Sequence, residues 1–148
     1  MPFYYFDSTA LVKRYSREPG TRVVNALMTK RGRTILLGAS TITEFYSGLA
    51  SKAKDGELTR DDWYSVIFKF ESESERGIFK FIAPSSRTFV STKRLIIDNP
   101  HLLPVQAMHL ALAVELRPLR LSVVSTDRTL LDLCRPLGLN PINPEEES

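Results

Sequence analysis

Short apolar runs alternate along this chain with longer stretches of helical periodicity, and that alternation limits the possible folds more than any other feature. Phe3-Tyr4-Tyr5-Phe6, Thr34–Gly38, Phe79–Ala83 and Leu121–Ser125 read as strands, with a last short one near Leu139–Ile142. Between them the spacing predicts helices over 8–17, 21–31, 41–54, 60–75, 85–97, 104–116 and 128–136. In the segment 41–54, Ile42, Phe45, Leu49 and Ala53 form one apolar stripe, and Thr59 with Asp61 and Asp62 opens the helix after it. Asn99-Pro100 breaks the helical pattern between the fifth and sixth helices. Strands separated by helices form βαβ units, which require a parallel sheet covered on both faces. The expected class is therefore α/β: three α/β/α layers around a mostly parallel sheet of about five strands.

A chain of 148 residues suits one domain with one core. The domain is expected to span 1–144, with the acidic tail 145–148 disordered. No apolar run approaches the roughly 20 residues that cross a bilayer, and the start of the chain has no basic leader, its apolar stretch being interrupted by Asp7. The one cysteine, Cys134, excludes an internal disulfide framework and sits at helical spacing from Leu130 and Leu131 as a small core residue. These features together set the expectation of a cytoplasmic protein without a membrane partner. A net charge of +3 leans weakly toward anionic partners.

In open parallel sheets, ligands bind beyond the carboxyl ends of the strands where strand order reverses, so the residues after each strand matter most. Asp7 follows the first strand, Glu44 lies one turn into the helix after the second, and Asp127 follows the fourth. Three carboxylates at one end of one sheet bring together the oxygen ligands that a hard divalent cation takes. Each acid also has a local explanation. Asp7 and Asp127 stand where helix caps stand, and Thr41-Ile42-Thr43-Glu44 matches the capping-box pattern. Capping gives no reason for three acids to share one end of a sheet.

Four segments then resemble, in order, the motifs of PIN domains of the VapC toxin type. Tyr5-Phe6-Asp7-Ser8-Thr9-Ala10-Leu11-Val12-Lys13-Arg14-Tyr15 resembles the opening motif, and Thr43-Glu44-Phe45-Tyr46-Ser47-Gly48-Leu49 the second. Gln106-Ala107-Met108-His109-Leu110-Ala111-Leu112-Ala113 resembles the third, and Val124-Ser125-Thr126-Asp127-Arg128-Thr129-Leu130-Leu131 the fourth. The order holds from about residue 3 to 144. The resemblance implies a PIN-like fold and a Mg²⁺- or Mn²⁺-dependent endoribonuclease, the toxin of a type II toxin–antitoxin pair, with RNA as substrate, a cognate antitoxin as partner and a homodimer as the assembly. On the matched positions it implies Asp7, Glu44 and Asp127 as catalytic and metal-site acids, with Ser8 and Ser125 close by. Lys13, Arg14 and Arg17, one turn or more beyond Asp7, are the expected phosphate contacts.

One position departs from the pattern. The third motif ordinarily begins with Asp and here begins with Gln106, whose carboxamide oxygen is a candidate ligand but carries no charge. Three acids in place of four weaken affinity for a divalent cation. Two other functions are therefore carried alongside the nuclease. One is a catalytically impaired PIN module that binds RNA or a protein; the other is a flavodoxin-like phospho-acceptor with Asp7 as acceptor, disfavoured because Asp7 stands alone at its strand end. His109, three residues after Gln106, is expected to pack or hydrogen-bond rather than ligate a metal. Trp63, Tyr64, Phe68 and Phe70 read as core or dimer surface.

Overall fold

The structure is a computed structural model describing residues 1–146; Glu147 and Ser148, the end of the expected acidic tail, lie outside the described residues. In chain order the elements are β1 (Phe3–Phe6), α1 (Ser8–Leu11), a 3₁₀ turn (Val12–Arg14), α2 (Thr21–Thr29), β2 (Thr34–Gly38), α3 (Ala39–Lys54) and α4 (Arg60–Glu75). β3 (Phe79–Ile82), α5 (Ser86–Asp98), α6 (Pro104–Glu115), β4 (Ser122–Val124), α7 (Arg128–Cys134) and β5 (Asn140–Ile142) follow. The five strands form one sheet in the order β3-β2-β1-β4-β5, and every adjacent pair is parallel.

Alternation along the strands assigns their side chains to two cores. Tyr5, Leu36 and Val123 point to one face and pack against Leu95 of α5, Leu110 and Ala111 of α6, and Leu130 and Cys134 of α7. Tyr4, Phe6, Ile35, Leu37 and Val124 point to the other, against Leu11, Val24, Met28, Phe45 and Phe70 from α1 to α4. Each Val, Leu, Ile, Phe or Met among them contributes about 1.5–3 kcal/mol when fully buried. This two-sided burial is why the strands read as continuous apolar runs. The α/β/α architecture around a parallel sheet of five strands expected from the sequence is the one observed.

The expected helix over 8–17 is shorter than its pattern. It ends at Leu11, tightens into the 3₁₀ turn and stops at Tyr15. Lys13 is thereby turned inward, where its ammonium donates to Glu18 (2.9 Å), the Pro19 carbonyl (2.7 Å) and Glu145 (2.8 Å). Glu145 and Glu146 lie in a turn, and Glu146 pairs with Arg128, so both described residues of the tail have partners in the domain.

Candidate active site

Strand order reverses between β1 and β4, and the loops after these two strands build the site. The ladder extends past the strand ends: the Asp7 N–H donates to the Val124 carbonyl (3.2 Å) and the Ser125 N–H to the Ile142 carbonyl (3.1 Å). Asp7 caps α1, with Oδ1 accepting from the Ala10 N–H (3.1 Å) and from the Thr9 hydroxyl (2.6 Å). Its Oδ2 accepts from the Ser125 hydroxyl at 2.5 Å. Ser125 Oγ in turn accepts from the Asp127 N–H (2.9 Å), and Thr9 Oγ1 from the Thr126 N–H (2.9 Å). Two hydroxyls thus tie the β4–α7 loop to Asp7 from either side.

Asp7 is only 3% exposed, and every donor it meets directly is neutral. Burial pushes its carboxyl above the usual range, opposed by the nearby imidazole of His109 and by the hydrogen bonds from Ser125, Thr9 and Ala10. A buried carboxylate without a direct counter-charge favours the arrival of a proton or a cation.

Asp127 caps α7, with Oδ1 accepting from the Leu130 N–H (3.2 Å) and Oδ2 from Gln106 Nε2 (2.9 Å). The capping readings of Asp7 and Asp127 are therefore correct, while leaving oxygen lone pairs at both. The capping-box reading of Glu44 is not. The N-cap of α3 is Gly38, and the Thr41 hydroxyl donates instead to the Phe6 carbonyl (2.8 Å). Glu44, free of any cap, meets His109 Nε2 at 2.6 Å and leaves 32% of its side chain exposed.

Gln106 does not present its oxygen to the site. Oε1 accepts from the Leu103 N–H (2.9 Å) at the start of α6, which fixes the amide orientation and points the NH₂ at Asp127. In this structure the Gln106 amide meets Asp127 through its NH₂ and occupies one Asp127 lone pair. Lys13 and Arg14 are corrected as phosphate contacts. Lys13, 2% exposed, directs its ammonium to three internal acceptors. Arg14 makes two hydrogen bonds to buried Glu73 and one to Asn25. Of the three cations only Arg17 lies exposed. Thr9, rather than Ser8, joins Ser125 in holding Asp7; the Asp-Ser-Thr string offered both hydroxyls, and only the turn geometry chooses between them. Tyr5, which bonds His109, gave no signal beyond that of a core aromatic.

Among the described residues, no three His, Cys, Asp or Glu side chains stand together as they would around one metal ion. His109 holds Glu44 and Gln106 holds Asp127, which draws the two acids toward α6. Mg²⁺ needs only one or two carboxylates and keeps several waters. Asp7 and Asp127, linked through Ser125, are the hard-oxygen donors that such a cation would meet here.

No family model matches the sequence, and no curated protein matches it. Solved structures do share its fold. A chain of FitAcB from Neisseria gonorrhoeae superposes with a TM-score of 0.68 at 15% identity, over 97% of this chain and 99% of that one. VapBC2 from Rickettsia felis, bound to a DNA fragment from its promoter, gives 0.66 at 12% identity, covering 95% and 98%. A toxin–antitoxin complex from Klebsiella pneumoniae gives 0.59 at 18% identity, covering 95% and 97%. At these identities the likeness is one of fold, and it extends over nearly the whole of each chain.

Proposed function

We propose that this chain is a metal-dependent endoribonuclease that cleaves RNA phosphodiesters and serves as the toxin of a toxin–antitoxin pair. The observation that carries this reading is Asp7: a buried carboxylate at the switch point of a parallel sheet, held by neutral donors and lacking a direct counter-charge. When bound there, Mg²⁺ or Mn²⁺ supplies Lewis acidity toward a phosphoryl oxygen and lowers the pKa of bound water. The chain's own residues do the rest. Ser125 and Thr9 fix the Asp7 carboxylate, and Ser125 couples its position to Asp127. Glu44 reaches solvent with Oε2 unengaged by His109, and serves as the third metal-site acid beside Asp7 and Asp127. That the structural neighbours include toxin–antitoxin complexes supports an antitoxin as partner, and a homodimer accords with the resemblance.

A second reading, a non-cleaving module of the same fold that binds RNA or a protein, is favoured by the Gln106 amide, which ties up Asp127 where the motif ordinarily supplies a further acid. The two separate in one assay: a structured RNA pool incubated with Mn²⁺, Mg²⁺ or EDTA, using wild type, Asp7→Asn and Gln106→Asp. The nuclease reading expects metal-dependent cleavage that Asp7→Asn abolishes. Silence from the wild type with cleavage by Gln106→Asp would establish the second reading.

A further inference from the structure

A hydrogen-bonded chain runs from the core to the rim of the site. The Tyr5 hydroxyl lies 2.7 Å from His109 Nδ1, the rings meet edge-on at 5.7 Å between centroids, and His109 Nε2 lies 2.6 Å from Glu44 Oε1. Tyr5 is fully buried and His109 is 2% exposed. Packing alone would be satisfied by apolar side chains at both places, and a polar pair in such surroundings is tolerated only when its bonds are complete. The backbone makes room for this pair. A Cβ on Gly38, at the end of β2, would stand 2.4 Å from the Tyr5 hydroxyl oxygen and 2.8 Å from Leu112 Cδ1, so glycine there keeps the hydroxyl's place open. β1, the end of β2 and α6 thus combine to hold one carboxylate carried by α3.

We infer that His109 is a positioning residue, supported by Tyr5, that fixes the Glu44 carboxylate at the site through an Nε2–H donor; the inference rests on the metal-dependent nuclease reading. In the proposed tautomer the Tyr5 hydroxyl donates to Nδ1 and the ring proton sits on Nε2, directed at Glu44, an assignment with which the 2.7 Å and 2.6 Å separations agree. Without this bond Glu44, a long side chain on the exposed flank of α3, regains its rotamers and loses its aim.

The test combines ¹⁵N imidazole NMR of the metal-free protein with Mn²⁺ titrations of wild type, His109→Ala, His109→Gln, Tyr5→Phe, Glu44→Gln and the His109→Ala/Glu44→Gln pair, thermal melts confirming folding. Expected is a proton on His109 Nε2, with the single tautomer lost in Tyr5→Phe. His109→Ala should weaken Mn²⁺ binding about tenfold, as loss of a ligand's supporting hydrogen bond does. His109→Gln should regain most of that affinity, and His109→Ala should weaken Glu44→Gln no further. A bare Nε2 would overturn the inference. So would a folded His109→Ala with wild-type affinity, or a loss that adds in full to that of Glu44→Gln. If His109→Ala does not fold, His109→Gln and Tyr5→Phe carry the comparison. If the wild type takes up no Mn²⁺, the nuclease reading fails and the tautomer alone decides whether His109 holds Glu44.

Discussion

Asp7 sits where it destabilises the fold unless something positive joins it. Three neutral hydrogen bonds offset only part of the desolvation of its carboxylate. Asp7→Asn keeps the shape and removes the charge, so the metal-free variant should melt about 2–4 °C above wild type, roughly 1 kcal/mol. It should also lose the rise in melting temperature that Mn²⁺ gives the wild type; both are read from one set of thermal scans. Gln106→Asp should do the reverse. It removes the bonds to the Leu103 N–H and to Asp127, and sets like charges face to face. The metal-free variant should lose about 1–2 kcal/mol, and Mn²⁺ should stabilise it more than it does the wild type. The positions of Asp7 and Asp127 just past β1 and β4 were legible in the sequence because strand ends are legible. The use of each acid was not. Thr41-Ile42-Thr43-Glu44 follows the capping pattern, yet α3 begins earlier, at Ala39, and Glu44 turns to a histidine 65 residues away.

At the scale of elements, the joint between the 3₁₀ turn after α1 and the end of α4 rests on Arg14 and Glu73. Arg14 reaches from the 3₁₀ turn to the last turn of α4, with its Nη2 2.6 Å from Glu73 Oε2. Burial pushes the Glu73 carboxyl up, but the hydrogen bonds and charge of Arg14 outweigh it and hold the group below its ordinary 4.5. A depressed carboxylate stabilises the fold fully above its unfolded value, and that contribution disappears as pH falls through the folded one. Glu73→Gln, which leaves Arg14 unpaired, should therefore cost about 3 kcal/mol near neutral pH. The gap from wild type should close on acidification below 4.5 in urea melts at stepped pH. Gly38→Ala tests the other joint, between β2 and β1. The added methyl meets the Tyr5 hydroxyl and Leu112, so a loss of about 1–3 kcal/mol is expected, with part recovered in the Gly38→Ala/Tyr5→Phe pair. The elements themselves were readable from periodicity, because strands buried on both faces and amphipathic helices leave different patterns. Lys13 was misread for a physical reason. Its pattern is that of a basic helix surface, but the helix tightens into a 3₁₀ turn and the ammonium is held by Glu18, the Pro19 carbonyl and Glu145, the last 132 residues away.

Over the whole molecule, the strand order reverses beside β1, and the chain's placement of Asp7, Ser125 and Asp127 around that reversal defines the candidate site. Among the described residues no helix is long and apolar enough to cross a membrane. Tyr64 and Phe68 stand exposed on α4, while Phe70 of the same helix is core. The most direct test is Mn²⁺ titrated into the ¹⁵N-labelled protein, with paramagnetic broadening of the backbone amides as the readout. The account predicts broadening centred on the amides of Asp7, Ser125 and Asp127, abolished by Asp7→Asn. Broadening centred elsewhere, or none at millimolar Mn²⁺, would contradict it.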